Sequence, residues 1–201
     1  VEGYYFMVMA PRGNNLDQGY KTMTYHEVFH IYQMSNIFSR DYEEVDRKFG
    51  RRTGDDPNSD VAWWGEGNAD FFAALYTKDL NGFKEEMKWA LEGNGPFSMP
   101  RKTQFFENGQ KLYNISWSQG ETVDLAYRIG SWFTAYLVHQ NGEQSIYDFW
   151  ETVDKGNFSN TFINIFGKDY KNYIDEFENW LQLPNVELYK ILDPIYKSKI
   201  K

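Results

Sequence analysis

The stretch YHEVFHIYQ, residues 25–33, holds two of the chain's three histidines, His26 and His30, with Glu27 beside the first. From about Met23 to Ile37 apolar residues recur at helical spacing, so the stretch is expected to be helical. On a helix, positions i and i+4 are separated by about 40° around the axis, which projects His26 and His30 from one face with convergent imidazoles. That geometry suits two ligands of a tetrahedral zinc ion. Glu27 lies on an adjoining part of the same face, too close to His26 to be a convenient third ligand but placed to reach a water held by the metal. Two other readings compete. One is an aromatic helix with incidental histidines. The other takes TYHE, Thr24 to Glu27, as a capping box, which would make Glu27 a helix cap. Amphipathic spacing that begins upstream of Thr24 argues against the cap.

A catalytic zinc needs a third protein ligand and an open position. The remaining histidine is His139. Glu66 is the better candidate: it lies in WWGEGNADFF, on the next expected helix, VAWWGEGNADFFAALYTK, whose paired tryptophans could pack it against the first. Asp70 follows four residues on, one turn along the same face. There it is placed to accept the second N–H of a zinc histidine and so fix the tautomer, unless it is simply a solvated helix residue.

Composition bounds the rest. A chain of 201 residues with 41% hydrophobic content can bury a core, and fits one domain or one with a small appendage. An aromatic content of 19% argues against disorder. A net charge of -8, with no cluster of Lys or Arg, argues against a nucleic-acid partner. No apolar run approaches the length of a membrane span. Zero cysteine excludes disulfides, thiolate ligands and cysteine nucleophiles together. It leaves the compartment unknown, between reducing cytosol and disulfide-free secretion, with a secreted or periplasmic bacterial setting favoured. Beginning at Val1 without Met, the chain reads as a processed protein or an excised domain.

The expected organisation is α+β but predominantly α-helical. YYFMVMAP, residues 4–11, reads as a strand, RGNNLDQG as a loop, and residues 38–60 as a polar excursion containing Gly and Pro. Further helices are expected at 80–92, 121–140, 143–154, 160–166 and 168–182, with Gly142 and Gly167 as stops. Residues 1–79 would hold the strand and the two site helices, and 80–201 a helical bundle, within one domain.

HExxH followed by a distant Glu in a W..EG.A context resembles the gluzincin zinc metallopeptidases, which include thermolysin, the M1 aminopeptidases and the peptidase MA-like domains. The resemblance covers nearly the whole chain. AYRIGSWFTAYLVHQNG, residues 126–142, is similar to the helix that follows the zinc site in those enzymes, where a tyrosine precedes a small-residue turn and an apolar helix. FINIFGKDYKNYIDEFENWL is similar to the closing helices of the MA-like domains. The resemblance implies a zincin-like catalytic domain acting on peptide or protein substrates with one catalytic zinc. His26, His30 and Glu66 match the ligands, Glu27 the general base, Tyr127 the tyrosine that steadies the oxyanion, and Asp70 the aspartate that supports a ligand. Endopeptidase cleavage is the expected mode; an M1-like aminopeptidase and a non-catalytic binding module on the same scaffold are the alternatives.

Three features depart from the pattern. Thirty-five residues separate His30 from Glu66, which implies an insertion at 38–60. Gly65 stands where Asn is common, removing one hydrogen bond that supports the site. Glu2 lies at a distance before His26 comparable to that of the aminopeptidase amine anchor, without the diagnostic residues before it. Other features carry less. His139 lies twelve residues after Tyr127, about 120° away around the helix, and reads as a surface histidine rather than an extra oxyanion donor. DDPNSD, 55–60, lacks the regular ligand spacing of a calcium loop. NIS and NFS are glycosylation sequons only in a eukaryotic secretory path.

Overall fold

The computed structural model describes residues 18–54, 59–94 and 99–200. At its centre lies α3, Trp63–Thr77, in which eleven of fifteen residues are buried. A helix apolar on all sides has to be covered on all sides. α1, Gln18–Ser35, and α6, Val123–Asn141, are its principal neighbours. α1 runs antiparallel to α3: Gln33 meets Gly65, His30 meets Glu66, His26 meets Asp70 and Thr22 meets Thr77. The apolar seam between them includes Phe29 stacked on Phe72, with ring centroids 4.7 Å apart.

α3 and α6 cross at glycine. A Cβ on Gly67 would lie 2.4 Å from the carbonyl carbon of Gly130, and one on Gly130 would lie 2.7 Å from the carbonyl oxygen of Trp63. The two backbones are therefore in direct contact, which no larger residue at either position permits. The helix expected at 121–140 is observed as α6, which runs on through Gly130 without the small-residue turn that the family resemblance places after Tyr127. Beside the crossing, buried Asn68 donates to Thr134 Oγ1 at 2.8 Å and accepts from Trp150 Nε1 at 2.9 Å, so both ends of its amide are satisfied. Trp63 and Trp64 do not pack α3 against α1. Their rings meet Phe133 of α6, Trp150 of α7 (Gln144–Thr152) and Phe158 of α8 (Phe158–Phe166), on the far side of α3.

The excursion at 38–60 is more ordered than its composition suggests. Asp41 accepts from the N–H of Glu43 and caps α2, Tyr42–Lys48. The chain then returns to the start of α3, where the carbonyl of Phe49 accepts from the N–H of Gly65 at 3.0 Å. Five more helices complete the described residues: α4 (Leu80–Glu92), α5 (Arg101–Asn108), α9 (Tyr170–Leu181), the short α10 (Asn185–Leu188) and α11 (Leu192–Ser198). Gly142 and Gly167 stop their helices with φ of 83° and 82°, as their positions in sequence indicate.

The sequence reading set no helix at α5 or beyond 182. α5 is framed by Pro100 before it and a left-handed Gly109 after it. In α11, Pro194 falls in the first turn, where the missing N–H costs nothing. Among the described residues there is no strand, only an isolated bridge between Asn94 and Pro100. The strand expected at 4–11 lies outside the described residues, so the β part of the α+β expectation has no counterpart here and the fold is predominantly α-helical. No helix among the described residues is long and apolar enough to cross a membrane.

Candidate metal centre

α1 begins at Gln18, and Thr24 is therefore mid-helix, its hydroxyl donating to the carbonyl of Tyr20 at 2.8 Å. This removes the capping-box reading of TYHE. His26 and His30 sit one turn apart on the face turned to α3, and Glu66 and Asp70 sit one turn apart on the face of α3 turned back to them. The antiparallel register brings the four side chains together.

His26 Nε2, His30 Nε2 and Glu66 Oε2 form a triangle with edges of 3.0, 3.1 and 3.2 Å. A tetrahedron of ligands at about 2.0–2.1 Å from zinc has edges of about 3.3–3.4 Å, close to this triangle. These three residues are the group among the described residues that could hold a metal ion.

The hydrogen bonds on the far side of each ring decide what the triangle presents. His26 Nδ1 lies 2.9 Å from Asp70 Oδ1, and the carboxylate can only accept, so Nδ1 carries the proton. His30 Nδ1 lies 2.7 Å from Gln33 Oε1. In its neutral form each ring thus turns an Nε2 lone pair toward Glu66, and three acceptors then face one another with no donor between them. A cation resolves that conflict; without one, a proton must. The titration of the groups reports the same pressure. Burial lowers the His26 pKa, but hydrogen bonds to Asp70 and Glu66 outweigh it and hold the imidazole up at about 9. Burial raises Glu66, and its contacts with the His26 and His30 rings overcome it and hold the carboxyl down at about 2.

The surrounding residues sort themselves by distance. Asp70 is held on its other oxygen by Arg128 Nη1 at 2.8 Å, and Arg128 stacks with Arg101 on Trp89, their guanidinium carbons 4.8 and 4.1 Å from its ring centroid. The solvated reading of Asp70 is therefore excluded. Half-buried Tyr127, from α6, reaches the centre: burial first, then the charge of Glu66 and a hydrogen bond to it, push its phenol pKa up, so it stays protonated at neutral pH. Glu27 is exposed, one residue round the helix from the face that carries His26 and His30. His139 is exposed at the end of α6 and takes no part. Phe49, returning from the 38–60 excursion, packs near His30 with ring centroids 6.4 Å apart. Asp60 accepts from Ser116 Oγ and the N–H of Trp117; Asp55 and Asp56 lie outside the described residues, as does Glu2.

Gln33 is the residue the sequence reading missed. It is fully buried, and besides the contact to His30 its Nε2 donates to the carbonyl of Gly65 at 3.1 Å. Its position seven residues after His26, on the same helix face, was the available signal.

The chain has no match among protein-family models, curated proteins or solved structures.

Proposed function

We propose that the chain is a zincin-like, zinc-dependent hydrolase of the gluzincin kind that cleaves internal peptide bonds. The observation that carries this reading is the triangle of His26 Nε2, His30 Nε2 and Glu66 Oε2, all within 3.2 Å of one another, with the far nitrogen of each ring held from behind by Asp70 and Gln33. Two imidazoles and one carboxylate are the protein ligand set of a hydrolytic zinc site, which keeps its fourth position for water or substrate, and the three side chains here stay 12–16% exposed. Bound there, zinc supplies Lewis acidity, polarising a carbonyl and lowering the pKa of a water.

The protein's own residues perform the rest. Glu27, exposed on the turn between the two histidines, takes the proton of the attacking water and later delivers it to the leaving amine, so the proton count closes over one turnover. Tyr127, kept as a neutral phenol beside Glu66, donates a hydrogen bond to the oxyanion that develops on the substrate carbonyl. A groove of about 510 Å3 lies between Lys21 and Thr22 of α1, Thr77 at the end of α3 with Lys78 after it, and Glu85 and Trp89 of α4; its lining includes Thr22, one helical turn from His26, but none of the residues of the centre itself. Its mixed charge and exposed tryptophan suit an extended peptide segment.

The test is Glu27→Gln assayed on an internally quenched peptide blocked at both ends, alongside aminoacyl fluorogenic amides. Hydrolysis of the blocked peptide by the zinc-loaded protein, abolished in Glu27→Gln with zinc still bound, is the expected result. Hydrolysis of the amides alone would move the protein to the aminopeptidase alternative. Zinc binding with no hydrolysis of either substrate would mark a binding module.

A further inference from the structure

We infer that Gln33 is the positioning residue for His30: it sets that ring's tautomer and ties it to the peptide that precedes Glu66. The inference rests on the metal-site reading above but is argued from hydrogen-bond direction alone. The carbonyl of Gly65 can only accept, so the Gln33 atom 3.1 Å from it must be the amide nitrogen. The opposite end of the amide, 2.7 Å from His30 Nδ1, is then the oxygen, which also can only accept. His30 Nδ1 must therefore be the donor, and its Nε2 carries the lone pair that faces Glu66. One amide orientation satisfies both contacts; flipping it would set the amide oxygen against the Gly65 carbonyl, acceptor against acceptor.

Gln33 does for His30 what Asp70 does for His26, by a different route. Asp70 reaches across from α3 and is charged. Gln33 comes from the same helix as its histidine, is neutral, and spends its second contact on the backbone of α3 one residue before the third ligand. It thus links ligands on two helices through one side chain. No side chain at position 65 can take over this contact, because a Cβ on Gly65 would lie 2.6 Å from the Phe49 ring. The glycine at 65 and the glutamine at 33 are two halves of one arrangement. At 0% exposure, Gln33 has no water to substitute for either partner.

The test separates the tautomer from the metal. Gln33→Met removes both hydrogen bonds at similar volume; Gln33→Glu keeps an acceptor for His30 and loses the donor to Gly65. In the metal-free proteins, the Nδ1–H proton of His30 is followed by NMR: a slowly exchanging resonance is expected in wild type and Gln33→Glu, and its loss in Gln33→Met. Zinc affinity, measured by chelator competition with zinc alone, should fall roughly 10- to 100-fold in Gln33→Met and by less in Gln33→Glu, which keeps the His30 contact and loses the tie to Gly65; both should melt lower. A fall in melting temperature for Gln33→Met with the His30 resonance and zinc affinity unchanged would reduce Gln33 to a strut between helices and overturn the inference. A wild type that shows the resonance but takes up no zinc would overturn the metal reading and leave the tautomer assignment standing.

Discussion

Replacing Gly67 by alanine tests whether the crossing of α3 and α6 holds the site in place. Two effects oppose each other. Alanine in a helix interior is favoured over glycine by about 1 kcal/mol. Against this, the new methyl would meet the Gly130 carbonyl carbon at 2.4 Å, and restoring ordinary contact at about 3.5 Å requires the helices to part by about 1 Å. The obstacle is backbone and cannot rotate aside, so the overpacking cost should reach or exceed the upper end of the usual range of about 1–3 kcal/mol. The net expectation is a loss of about 2 kcal/mol, which for a chain of this size lowers the melting temperature by about 4–8 °C. Zinc affinity should fall as well, because Glu66 is the adjacent residue and Tyr127 rides on the opposing helix. Thermal unfolding of the metal-free protein, followed by circular dichroism, measures the first effect. Gly82→Ala in α4 is the matched control: its Cβ would meet only side chains of Asp79 and Lys78, at 3.2 and 3.3 Å, so the helix-propensity gain should survive. A Gly67→Ala protein that melts at or above wild type, or no lower than Gly82→Ala, would refute the close-crossing argument.

Two further outcomes are expected at the centre itself. Asp70→Asn, which places an amide against the Arg128 guanidinium and weakens the hold on His26, should cut zinc affinity roughly 10- to 100-fold in a chelator competition; unchanged affinity would remove Asp70 from the site. For the metal-free protein, the His26 pKa of about 9 lies above its ordinary 6.5, so its stabilising contacts are fully present below pH 6.5 and are lost as pH rises through 9, by about 3 kcal/mol at most. Glu66 mirrors the same contacts from the acid side, present above its ordinary 4.5 and lost as pH falls through about 2, so the two are not added. Urea unfolding with a chelator present should show stability falling between pH 6.5 and 9, and a flat profile there would contradict the assigned pairing.

Much of the centre was legible because its spacing is local. The His26–His30 and Glu66–Asp70 pairs are i, i+4 relations, and helical geometry fixes such relations whatever the rest of the chain does. The same reasoning located α4 at 80–92 and the stops at Gly142 and Gly167, where only glycine adopts the required backbone at no cost. What stayed hidden depends on how one helix is set against another. The antiparallel register of α1 on α3 decides that Asp70 serves His26 while Gln33 serves His30. The glycine contact of α3 with α6 decides that Tyr127 arrives beside Glu66. The direction in which Trp63 and Trp64 pack, and the return of Phe49 from a polar excursion to cap Gly65, follow from the same arrangement. Periodicity along one helix is a property of its own backbone, and sequence carries it directly; the register between helices is set by the summed fit of many side chains, and emerges only when they pack together.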